Sequence, residues 1–191
     1  VPLLDLVVVS IAADIVPMID ENRVLSFYGL QQLNASPRIG LKALMDVANR
    51  KDTFNISDII FGLAPRINAA GRIEHGNKAV ELLVQQDFSI AKGKADYIDK
   101  HNFTRKELDK SITKEALAMI VPDANSTVVC SEKWHKGVVG IVASRLIETH
   151  YRPTIVLTES NGKLTGSARS VSGFDVYNAI DACSDLLEQF G

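Results

Sequence analysis

The chain has little cysteine and no dominant charge, and each shortage excludes something. Its two cysteines, Cys130 and Cys183, stand in apolar surroundings without CxxC spacing, so a disulfide framework is excluded and reduced core residues in the cytoplasm are expected. Lys and Arg total 21 against 23 Asp and Glu, and the net charge of -2 excludes a strongly basic nucleic-acid module while leaving room for a local basic groove. No HExxH, HxxxH or cysteine cluster is present, and the four histidines are dispersed, so no complete metal site is legible. The apolar opening "VPLLDLVVVSIAADIVPM" is broken by Asp5 and Asp14 and is too short for a membrane span.

What is present is a hydrophobic content of 46% over 191 residues, enough for one medium domain or two small ones. The chain opens without Met or a charged signal segment and stops at Gly191 after a helical pattern, so it reads as a piece cut from a longer protein.

Hydrophobic patterning gives a mixed α/β organisation. "LDLVVVSIAADIVPM" is expected to begin as a buried strand that meets a loop at Asp14, with Pro17 changing its direction. Residues 37 to 49 and 77 to 87 suit short helices. From Asp87 to Val121 there is no proline, and Ala91, Ala95, Ile98, Asn102, Arg105, Asp109, Ile112, Ala116 and Met119 recur at helical spacing. One long connector helix is expected there, its alternative being an ordinary core helix with Asn102 and Arg105 in solvent. Pro122 resists its continuation. Beyond it "STVVC", "PTIVLT" and "NGKLTGSARS" read as strands, with helices over "GVVGIVASRLIETH" and "DVYNAIDACSDLLEQF", a small α/β unit.

Three stretches carry chemistry. "APRINAAGR" sets Arg66, Asn68 and Arg72 among residues of almost no side-chain volume, which suggests a phosphate-facing loop or turn. "WHKGVVGIVASRL" brackets a helix start with Gly137 and Gly140, whose amides suit phosphate; Trp134 supports a base or packs in the core, and Arg145 lies about two turns farther on. In "GSARS" an extended backbone puts Ser167 and Arg169 on one face, a hydroxyl and guanidinium able to hold a nucleic-acid backbone without reading bases, or else a solvated strand face. Asp14, at the end of an apolar segment, is a metal ligand or a turn residue.

In this order, "SIAADIVPM", "APRINAAGR", "WHKGVVGIVASRL", "RPTIVL" and "GSARSVSGFD" resemble the RecJ single-stranded-DNA exonucleases of the DHH phosphoesterase superfamily, over essentially the whole chain. The resemblance implies the end of a DHH domain (residues 1–86), a connector helix (87–122) and a small α/β DHHA1 domain (123–191), both domains truncated. It implies 5'-to-3' hydrolysis of single-stranded DNA in recombination and repair, with Mn²⁺ or Mg²⁺ as cofactor and single-stranded-DNA-binding or other repair proteins as partners. Asp14 matches the last metal-ligating aspartate, while Arg72, Arg145, Ser167 and Arg169 match positions on the nucleic-acid path, and Arg66 and Asn68 the same cleft-facing loop. The family's DxD, second-motif aspartate and DHH sequences are absent, so the 191 residues alone are expected to be inactive. The alternatives are a DHH-type phosphodiesterase for short oligonucleotides or cyclic dinucleotides, and a noncatalytic nucleic-acid-binding module.

Overall fold

The computed structural model describes residues 2–49 and 53–191. Its opening segment is a helix, α1 (Leu4–Ala13), and not the expected strand. Asp5, Val8, Val9 and Ala12 are buried, the three-and-four spacing of a helix face. In a segment where nearly every residue is apolar, that periodicity is hidden. Helix α2 (Asp20–Ala35) lies against α1. The two approach closely at Gly29, where a Cβ would stand 2.6 Å from the Leu4 carbonyl oxygen and 2.6 Å from Val8 Cβ.

Helices α3 (Ile39–Val47) and α4 (Ile56–Asp58), a π-helical turn at Ile59–Leu63, α5 (Ala64–Ile73) and α6 (Asn77–Leu83) complete the first unit with the beginning of α7 (Phe88–Ala118). The fully buried side chains Val8, Leu33, Leu41, Leu44, Ile59, Leu63 and Leu82 form one core with Ala91, Ala95 and Ile98 of α7. "APRINAAGR" is helical, which corrects the expected loop. Pro65 occupies the first turn, where a missing N–H costs no helical bond, and alanine favours helix. Its small residues serve packing, since Ala69 and Ala70 are buried.

The chain divides into compact units at Arg105 and Lys106, and α7 runs through that point. Asn102 is 2% exposed, so the solvent position considered for it is wrong.

The second unit is built on a three-stranded sheet, β1 (Thr127–Cys130), β2 (Thr154–Ser160) and β3 (Lys163–Arg169), in that order. Strands β1 and β2 are parallel and joined through α8 (Lys136–Thr149), as parallel pairing requires. Strands β2 and β3 are antiparallel, joined at Asn161 and Gly162, both of positive φ, the conformation that tight hairpin turns need. Thr127, Val129, Thr154, Val156 and Thr158 are buried at alternate positions, and α8 packs on the sheet through Val138, Val142, Ala143 and Leu146. Arg152 fixes the segment after α7, donating to Thr127 Oγ1 at 2.8 Å and to the carbonyls of Val121 (2.7 Å) and Pro122 (3.0 Å).

The last expected helix is shorter than its pattern. Only α9 (Val176–Asp181) and a 3-10 turn at Ser184–Leu186 form, and neither buries a residue. Without a buried face a short helix gains nothing from packing and does not extend. Both cysteines are free, but Cys183 is exposed rather than in the core. Among the described residues no helix is long and apolar enough to cross a membrane.

Candidate nucleic-acid interface

Strand alternation determines which groups of the second unit meet. Ser167 pairs with Val156 and Arg169 with Thr154 across the β2–β3 ladder, so both residues stand on the face that carries α8. Arg169 is exposed and Ser167 half-buried. The guanidinium is held from three directions: Nε–H donates to Ser144 Oγ at 3.1 Å, and Nη1 donates to Ser167 Oγ at 2.9 Å and to the Ala168 carbonyl at 2.8 Å. Ser144 donates to the Gly140 carbonyl one turn earlier on α8, at 3.2 Å. The expected hydroxyl and guanidinium thus do meet, and a second hydroxyl from the facing helix joins them. Ser144 escaped the sequence reading, although its position four residues after Gly140 puts both on one face of the helix.

Arg145 has a different setting. Its Nε and Nη2 bind the two oxygens of Asp109 at 2.8 and 2.9 Å, and Asp109 is buried. The hydrogen bonds that Arg145 donates to Asp109, then the charge of that carboxylate, raise the Arg145 pKa and fix it as a cation. Half of the Arg145 side chain remains exposed, so an edge stays accessible while the fork is committed to α7. Trp134 is a core residue, 4% exposed, with its indole N–H donating to Glu115 Oε2 at 2.9 Å. The α8 N-terminus is capped by its own chain: His135 Nδ1 accepts from the Gly137 N–H at 3.1 Å.

In the first unit Arg66 joins α5 to α7 by Nε to Asp99 Oδ1 at 2.7 Å, and its Nη1 donates to the Gly62 carbonyl at 2.7 Å. Asn68 and Arg72, four residues apart, share an exposed face of α5, while Arg66 lies on another face. Asp14 is the exposed C-cap of α1. Among the described residues no group of three or more His, Cys, Asp or Glu could hold a metal ion, so Asp14 does not fit a metal centre by itself.

A small sheet bearing this arginine–serine pair, with one helix crossing over between parallel strands, defines the class: residues 116–191 match the DHHA1 domain. Along the whole chain the likeness is narrower. It is 41% identical over 195 residues to the single-stranded-DNA-specific exonuclease RecJ of Bacillus subtilis, covering 99% of this chain and 25% of that protein. The Mg²⁺ complex of RecJ from Thermus thermophilus superposes with a TM-score of 0.90 at 31% identity, covering 98% of this chain and 30% of that one. An exonuclease RecJ bound to manganese gives 0.87 at 30% identity, covering 100% of this chain and 49% of the other. The chain is a RecJ-family homologue of the DHH/DHHA1 superfamily. It spans between 25% and 35% of the length of the curated relatives it matches.

Proposed function

We propose that this chain is the DHHA1-bearing part of a RecJ-type exonuclease that hydrolyses single-stranded DNA from the 5' end, and that its own work is to hold the strand. The observation that carries this reading is the Ser167–Arg169 pair, braced on one accessible strand face within a domain matched to DHHA1. A guanidinium and a hydroxyl bind phosphate oxygens without reading bases, which suits an enzyme that must accept every sequence. The open edge of Arg145 would add a contact within the same unit, and Asn68 and Arg72 on α5 are proposed as phosphate-binding residues of the first unit.

Mn²⁺ or Mg²⁺ is the cofactor of this reading. One carboxylate is not a metal centre, and in this reading Asp14 contributes a single ligand while the others lie outside the 191 residues. The chain alone therefore binds without cleaving. The proposed domains are residues 1–86 for the DHH portion, 87–122 for the connector and 123–191 for DHHA1. Work on cellular DNA places the protein in the cytoplasm, with single-stranded-DNA-binding or other repair proteins as its company.

Arg169→Ala tests the reading. Loss of a charge-assisted phosphate contact should weaken single-stranded-DNA binding by about 1.5 to 3 kcal/mol. It should also make the logarithmic salt dependence shallower by about 0.7. Titration of a labelled strand across a salt series, without divalent metal, reads both quantities. Unchanged affinity and slope in a folded variant would return Arg169 to a solvated strand face.

A further inference from the structure

We propose that the ring of Tyr151 is a stacking platform for a base of single-stranded DNA, held ready at the same end of the sheet as Arg169. The inference rests on the strand-holding reading above and adds to it a group that receives a base instead of a phosphate.

The place of Tyr151 follows from the β2–β3 register. Thr154 of β2 pairs with Arg169 of β3, so the chain entering β2 and the chain leaving β3 lie at the same end of the sheet. Tyr151 stands three residues before Thr154 and Ser172 three residues after Arg169, and the two meet: the Ser172 N–H donates to the Tyr151 phenol oxygen at 3.0 Å. Three residues of chain span at most about 10 Å, so Tyr151 leaves the backbone within that distance of the rung that Arg169 occupies.

Both sides of this contact are fixed. Before Tyr151, the His150 N–H donates to the Leu146 carbonyl at 2.8 Å and closes α8. After it, Arg152 is tied to Thr127 Oγ1 and to the Val121 and Pro122 carbonyls. Ser172 lies in the turn Val171–Phe174, where the Phe174 N–H donates to the Val171 carbonyl at 3.1 Å and Gly173 has a φ of 84°, the position at which a type II turn takes glycine. The second residue of such a turn has no partner for its N–H inside the turn, and here the phenol oxygen accepts it.

The ring so held is 70% exposed. An aromatic side chain stabilises a fold by burying its faces, which Tyr151 does not do, and among the described residues no other aromatic ring packs on it. Anchoring an exposed ring gains little for folding, whereas a ring ordered beforehand loses little further freedom when a base arrives. Trp134, the aromatic residue considered for that role, is buried against Glu115 and closed to a base. Stacking accepts every base, since each has a π face, and so matches phosphate contacts that read no sequence.

Fluorescence anisotropy in chelator tests the platform with two labelled strands of equal length, oligothymidylate and a strand of abasic deoxyribose phosphates. The 191-residue chain is expected to bind thymidylate about tenfold more tightly than the abasic strand. Tyr151→Ala should remove most of that difference by weakening thymidylate alone, with its salt dependence unaltered because no phosphate contact is lost. Tyr151→Trp should keep the difference. Arg169→Ala, by contrast, should weaken both strands and make the salt dependence shallower. Equal affinity of the unmodified chain for the two strands, or a folded Tyr151→Ala that weakens both alike or neither, overturns the platform and leaves the broader reading standing where Arg169→Ala still weakens binding. Should Tyr151→Ala not fold, Tyr151→Leu, which keeps an apolar side chain without the ring, decides by the same criterion. Arg169→Ala binding as tightly as the unmodified chain, or no binding by the unmodified chain, overturns both.

Discussion

Arg38→Ala should cost the first unit about 3 kcal/mol, the lower end of what breaking a buried ion pair costs. Asp5, 1% exposed, receives both ends of the Arg38 fork, with Nη2 to Oδ1 at 2.9 Å and Nε to Oδ2 at 3.1 Å. The same side chain reaches the Pro2 carbonyl at 3.1 Å. Removing it leaves a buried carboxylate on α1 with only the backbone N–H groups of Arg38 (3.0 Å) and Leu6 (2.9 Å) to satisfy it. Those two bonds survive the substitution, which is why the lower end of the range applies.

Acid should shrink the difference between the two proteins. Burial pushes the Asp5 carboxyl up, but the Arg38 hydrogen bonds and charge outweigh it and hold the pKa below its ordinary value of 3.8. A depressed folded pKa gives stability that is whole above the unfolded value and fades as pH falls through the folded one. In Arg38→Ala the burial effect remains and the guanidinium is gone, so its loss should be largest near neutral pH and smallest below about pH 4. Urea unfolding at a series of pH values reads the change. A loss independent of pH would assign the effect to packing by the arginine stem instead of the ion pair.

Gly40→Ala is the second large effect, and here backbone is the obstacle. A Cβ at Gly40 would lie 2.0 Å from the Leu82 carbonyl oxygen and 2.9 Å from Leu83 Cα, so no rotamer can relieve the clash. Helices α3 and α6 must separate, at a cost of about 3 kcal/mol or more, well above the roughly 1 kcal/mol that alanine adds to a helix. Gly93→Ala on α7 is the control, because nothing lies within 4 Å of its Cβ position and only the gain in helix preference remains. Opposite shifts of the unfolding midpoint are expected for the two variants. Equal shifts would mean that the close α3–α6 approach is not part of the folded state.

The second unit was the more legible from sequence. Its strands β1 and β2 bury every second residue, its helix is bounded by His135 and Thr149, and Asn-Gly marks its hairpin; these are local signals that tertiary contacts have no reason to override. The first unit hid its helix under continuous apolarity in α1, and "APRINAAGR" concealed another because small residues serve helix packing as readily as ligand approach. At the candidate site Ser167 and Arg169 could be read from strand alternation alone. Ser144 could not, since only the packing of α8 on β3 brings its hydroxyl to Arg169. The commitments of Arg66 to Asp99 and of Arg145 to Asp109 were equally out of reach, each joining residues far apart in sequence.

The most direct measurement exchanges this chain for the segment of Bacillus subtilis RecJ that it matches at 41% identity, leaving the remainder of that protein in place. With Mn²⁺ and a long 5'-labelled single strand, the account predicts release of mononucleotides from the 5' end, sharply reduced by Arg169→Ala, and no release by the 191-residue chain alone. A folded chimera that ignores long single strands, or that cleaves only very short or cyclic substrates, would contradict it.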